Sequence, residues 1–73
     1  MNTVYHIGDI FEVPRTNAFA IVVEVTTHPH EQYCLSYIDK TTHDEIPSGR
    51  KVPHAAWWTA EELKKTFKEF RIM

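Results

Sequence analysis

Phe19-Ala20-Ile21-Val22-Val23-Glu24-Val25 is the stretch on which the fold of this chain turns. Phe19, Ile21, Val23 and Val25 alternate with Ala20, Val22 and Glu24, and an alternation of this kind marks a strand with one buried face. Its Phe-Ile-Val-Val face is predicted to point at the core. On its N-terminal side, residues 8–14 read as a turn feeding a short strand. Pro14 ends that strand because it has no N–H for a ladder, and Arg15-Thr16-Asn17 makes the next turn. On its C-terminal side, residues 26–31 form a polar connection into a second long strand over residues 32–39. There Tyr33, Leu35 and Tyr37 share one face while Cys34, Ser36 and Ile38 share the other.

Asp39-Lys40-Thr41-Thr42 reads as a hairpin turn, followed by a short strand over residues 43–46. Pro47-Ser48-Gly49-Arg50 is another turn, and Lys51-Val52 a last extended piece. Strands arriving every 8–12 residues or about that point to a barrel or sandwich, not to a parallel sheet. The pattern then becomes helical. Thr59-Ala60-Glu61-Glu62 has the form of a capping box, in which Thr59 and Glu62 satisfy each other's backbone amides. Leu63, Phe67 and Phe70 follow as one apolar stripe, so the helix is expected over residues 59–70.

The chain has 73 residues, 42% hydrophobic and 25% charged, with one cysteine and a formal net charge of −2. That length predicts a single domain, 1–73, whose core is thin and depends on large side chains packing well. The expected core is Ile7, Ile10 or Phe11, Phe19, Ile21, Val23, Val25, Tyr33, Leu35, Tyr37, Leu63, Phe67 and one tryptophan. The longest apolar run, residues 18–23, is far below the roughly 18 residues a membrane span needs. Residues 1–6 lack the features of a signal peptide. With a lone cysteine that has no partner for an internal disulfide, they lead to the expectation of a cytoplasmic protein.

The opening Ile7-Gly8-Asp9-Ile10-Phe11, the hairpin of two long strands, the shorter strands and the closing Trp58-Thr59-Ala60-Glu61-Glu62-Leu63 resemble small Src-homology-3-like barrel proteins, many of them encoded by bacteriophages and prophages. The resemblance implies a small antiparallel β-barrel capped by a helix, a class that mostly binds proteins or nucleic acids. It also implies a phage accessory protein acting in the host cytoplasm. It carries no catalytic signature.

Three constellations are candidates for function. His28, His30 and Cys34 are of the right types for zinc, with His43 or His54 to complete a tetrahedral set. The ligand spacing lacks two tight pairs, so the plainer expectation is solvated histidines, a small apolar cysteine and no cofactor. Lys64, Lys68 and Arg71 fall at helical spacing on one face, with Arg50 and Lys51 near them, and such a stripe can track phosphates. Residues 1–49 carry a net charge of −5 and residues 50–73 of +3. The overall acidity disfavours nucleic acid as the partner. Finally, Trp57 and Trp58 are adjacent, so in an extended segment one turns to the core and the other to solvent, where tryptophan is a frequent binding anchor. No nucleophile–base set or phosphate-binding glycine loop is present. These features predict a non-enzymatic module that binds a protein through Trp57 or Trp58 and the basic residues, as a monomer or as a dimer joined by edge strands.

Overall fold

Residues 4–47 and 57–69 are described in the computed structural model of the chain. Three strands form the centre of an antiparallel sheet: β1 (Ile10–Val13), β2 (Ala18–Thr26) and β3 (Gln32–Asp39). β4 (Glu45–Ile46) and β5 (Trp57–Trp58) both line the outer edge of β3, at opposite ends of it. After β5 come the helix α1 (Ala60–Thr66) and β6 (Lys68–Glu69), which pairs with β1. The order is therefore β4–β3–β2–β1–β6, with β5 beside β3. The described residues thus form six strand segments in one sheet. Among the described residues the ladder from β4 to β6 remains open. The expected extended piece at Lys51-Val52 lies outside the described residues. No helix among them is long and apolar enough to cross a membrane.

The segment β5–α1–β6 starts on the β3 edge and ends on the β1 edge, so the helix crosses one face of the sheet. That inner face holds the core. Phe11, Val13, Ala18, Ala20, Val22, Tyr33, Leu35, Tyr37 and Trp58 contribute from the strands, and Leu63 and Phe67 from the helix and its end. Tyr5 joins them from the N-terminal arm, which turns at Gly8 with a φ of +98° that favours glycine. The arm is held by Gly8 N–H donating to the Val22 carbonyl at 2.8 Å and by Val22 N–H donating to the Asp9 carbonyl at 2.9 Å.

The face of β2 is the opposite of the one its alternation predicts. Ala18, Ala20 and Val22 point inward, Phe19 and Ile21 point outward, and Val23 is 48% exposed. The cause lies in the neighbouring strands. Ala20 stands between Phe11 of β1 and Tyr37 of β3 in the pairing register. Two rings flanking one position need a small side chain between them, because interiors are close-packed. Putting Phe19 and Ile21 inward would also bury Ser36 and turn Tyr33 and Tyr37 out. A register shift between Val22 and Glu24 then inserts Val23 as an extra residue. The bulge changes the parity of the strand, so Val25 returns to the inner side opposite Tyr33 and packs on the core. Ile7, also expected in the core, is 69% exposed, and of the pair Ile10 or Phe11 it is Phe11 that is buried.

The capping box forms as predicted. Thr59 N–H donates to Glu62 Oε1 at 2.9 Å and Glu62 N–H donates to Thr59 Oγ1 at 3.2 Å. The helix is shorter than predicted, ending at Thr66, with Phe67 already extended at φ −118°, ψ 159°. Two long-range contacts end it. Phe67 packs among the core rings, and Lys68 and Glu69 pair with Glu12 and Phe11. A helix of two turns has little stability of its own, so these contacts decide its length. Phe70, assigned to the apolar stripe, lies outside the described residues.

Tyr33 and Tyr37 sit deep in this face. Burial pushes both phenols up, and for Tyr33 a hydrogen bond to Glu31 adds to the shift while the backbone amide of Tyr5 opposes it. Among the described residues the Tyr37 hydroxyl has no hydrogen-bond partner. The Trp58 side chain lies close enough to offset part of the effect of burial.

Two outcomes follow from this arrangement. Val22→Ala lowers unfolding free energy in urea by about 2 kcal/mol, whereas Val23→Ala changes it by less than about 0.5 kcal/mol; a larger loss from Val23→Ala would mean that β2 faces the other way. Because the fold favours the neutral phenols, their contribution is complete below the unfolded value of 10.0 and is lost as pH rises through the higher folded value. Melting temperature therefore falls above about pH 10, and Tyr37→Phe makes that fall shallower.

Candidate functional site

The outer face of the sheet is built from the residues left over by the core. Across its strands the register gives one row of Glu45, Ile38, Phe19, Glu12 and Lys68, and a second of Ser36, Ile21 and Ile10. A third row is Trp57, Cys34 and Glu24. Phe19, Ile21, Ile38 and Ile10 are half-buried there. The first row is covered by the chain itself. Lys40 places its Nζ 5.2 Å from the centre of the Phe19 ring and 3.2 Å from Glu12 Oε1. A cation over a ring, paired with a carboxylate beside it, partly screens the apolar side chain from water.

Among the described residues the third row has no such cover. Trp57 is 40% exposed and its neighbour Trp58 is 8% exposed, the division that an extended pair requires. Beside this row the bulge turns both Val23 and Glu24 to solvent. Cys34, between Trp57 and Glu24, is half-buried. Burial pushes its thiol up, and the charge of Glu24 pushes it further. A thiol shifted in this direction is a poor nucleophile at neutral pH.

The other predicted residues are dispersed. Lys64 is exposed on α1, and Lys65 pairs with Glu61 at 3.6 Å. Lys68 lies on β6, not on the helix, so the predicted stripe of Lys64, Lys68 and Arg71 does not form on one helical face. Arg71, Arg50, Lys51 and His54 lie outside the described residues. His28 and His30 are exposed in the connection before β3, while His43 is in the turn after it. The residues of β3 separate these two ends by roughly 20 Å at the usual rise of a strand, too far for shared coordination. Among the described residues no three His, Cys, Asp or Glu side chains converge as a metal site.

Two half-open clefts of about 430 and 440 Å³ flank the sheet. In the first, Asp9 accepts from the His6 amide and Glu69 accepts from the Tyr5 hydroxyl, with Lys64 on the rim. The second lies between the turns at Arg15 and Asp39. Val23 and Glu24 are the residues of the exposed corner that the sequence reading missed. The only signal for them is an odd step, since Ala20, Val22 and Val25 must match Tyr37, Leu35 and Tyr33. Compared with protein-family models, with curated proteins and with solved structures, the chain matches none.

His43 occupies the left-handed region at φ +64°, in a turn where its amide donates to the Asp39 carbonyl at 2.9 Å. His43→Gly therefore raises stability by about 0.5–1 kcal/mol, and a strong chelator leaves the melting temperature of both proteins unchanged. A chelator-induced loss, or destabilisation by the glycine, would restore His43 as a ligand.

Proposed function

We propose that this chain is a non-enzymatic protein-interaction module whose contact surface is the outer face of the sheet, with Trp57 as its anchor. The observation that carries this reading is the exposure of Trp57 on a row that no other described residue is seen to cover. A large aromatic ring held on a β-ladder loses little freedom on binding, and such residues often supply most of the energy of an interface. Ile38, Ile21 and Ile10 extend the apolar surface across the sheet from that corner. An antiparallel sheet covered by a C-terminal helix supports the further reading of the fold as a Src-homology-3-like small barrel. The resemblance to phage-encoded barrels supports a role as an accessory protein that binds and modulates a host protein. The division of Lys64 and Lys68 between helix and strand ranks nucleic acid below protein as the partner.

The test is affinity capture from a cytoplasmic extract with the wild-type chain, Trp57→Ala and Lys64→Glu. Trp57→Ala folds normally, since the ring is exposed and its neighbour fills the core. The expected result is one stoichiometric protein retained by wild type and Lys64→Glu and lost at least about tenfold by Trp57→Ala. Recovery of nucleic acid alone, or turnover of a small molecule by the purified chain, would overturn the reading.

A further inference from the structure

The two ends of the outer face solve the same problem differently. At one end Phe19 and Glu12 stand on paired strands, and Lys40 of the same chain covers the ring and pairs with the carboxylate. At the other end Trp57 and Glu24 stand in one row with Cys34 between them. Their Cα atoms are separated by two strand spacings, about 10 Å. Among the described residues, the segments that form this corner, β2, β3, β5 and residues 27–31, contain no lysine or arginine to supply the matching cation. Glu24 is exposed and takes part in neither ion pair found among the described residues. The N-terminal 49 residues carry a net charge of −5, which attracts a basic partner over a longer range.

The geometry points to a basic peptide segment of a partner protein as the occupant, with one arginine laid across Trp57 and paired with Glu24, and an apolar neighbour of that arginine on Val23. Arginine suits the site better than lysine. Its planar guanidinium stacks on an indole while its edge N–H groups still reach a carboxylate, and the span here is one strand wider than the span Lys40 covers. Val23, 48% exposed through the bulge, is the apolar surface nearest in the chain to Glu24. Cys34 lies under the guanidinium and is not asked to react. This inference rests on the interaction-module reading and names the chemistry of its partner.

A short capped peptide of leucine, arginine and serine is the probe, with versions carrying citrulline or glutamate in place of arginine as controls. Binding is followed by NMR at the Trp57 indole N–H and the Val23 and Glu24 amides. The expected result is shifts at these three positions with the arginine peptide, and an affinity about fivefold weaker with citrulline. Glu24→Gln weakens the arginine peptide by about the same factor and leaves the citrulline peptide unchanged, and added salt erodes the difference between the two peptides. Equal affinity for the citrulline or glutamate peptide overturns the inference, as do shifts confined to Lys64 and Lys65. So does a concentration-dependent increase in mass, without peptide, that Trp57→Ala abolishes, since a second copy would then be the occupant. If a captured cellular partner is lost on Trp57→Ala but kept by Glu24→Lys, the arginine pairing falls while the module reading stands.

Discussion

The ring of Phe67 meets rings from three different strands: Phe11 at 6.3 Å, Tyr37 at 6.4 Å and Trp58 at 5.0 Å between centroids. β1 lies on one side of β2, and β3 with β5 at its edge lies on the other. The end of the helix is thus the point at which the two sides of the inner face are joined. Most other features follow from making room for this cluster. Ala18 and Ala20 are fully buried because the rings stand over and beside them. The helix stops after Thr66 because a further turn would carry Phe67 away from its partners and Lys68 and Glu69 away from β1. Tyr5 continues the cluster edge-on to both Phe11 and Tyr33. In a chain of this size, with no disulfide, a few aromatic contacts carry much of the burden that a larger core would spread.

The bulge at Val23 is the second determinant, and it links packing to surface. Without the extra residue, a strand with Ala20 and Val22 inward would place Glu24 inward too, opposite Tyr33. An unpaired carboxylate in an apolar core is costly. The bulge turns Glu24 out, returns Val25 to the core, and leaves Val23 exposed next to Glu24. The same local distortion that completes the inner face therefore creates the uncovered corner of the outer one.

The outer face shows how a small sheet stays compatible with water on the side that α1 does not cover. Each row mixes polar or charged residues with apolar ones. Lys40, reaching from the turn after β3, spreads its methylenes and its charge over Phe19 and meets Glu12. Both partners of that ion pair are roughly 30% exposed in their side chains. Its electrostatic contribution is accordingly modest, and the cover it gives the ring is the more important part. The corner at Trp57 and Glu24 has the ring and the carboxylate, with no cation paired to them among the described residues.

Local signals in the sequence determined the elements that local physics controls. The capping box at Thr59 and Glu62, the two long strands, the turn after Asp39 and the division of Trp57 from Trp58 were all legible, because each depends on backbone amides or on alternation within a few residues. The face of β2 was not. Phe19, Ile21, Val23 and Val25 form an apolar set, but Ala18, Ala20, Val22 and Val25 form another, and a strand with two apolar faces does not say which one is buried. Only the register against Phe11 and Tyr37 decides it, and that register belongs to pairs distant in the chain. The length of the helix was hidden for the same reason, since its apolar stripe runs on past the point where β6 pairs with β1. Of the candidate site, Trp57 was visible as half of an adjacent aromatic pair. Val23 and Glu24 became part of it only through a bulge whose cause is the packing of other strands, and the basic stripe dissolved because Lys68 answers to β1 and not to the helix.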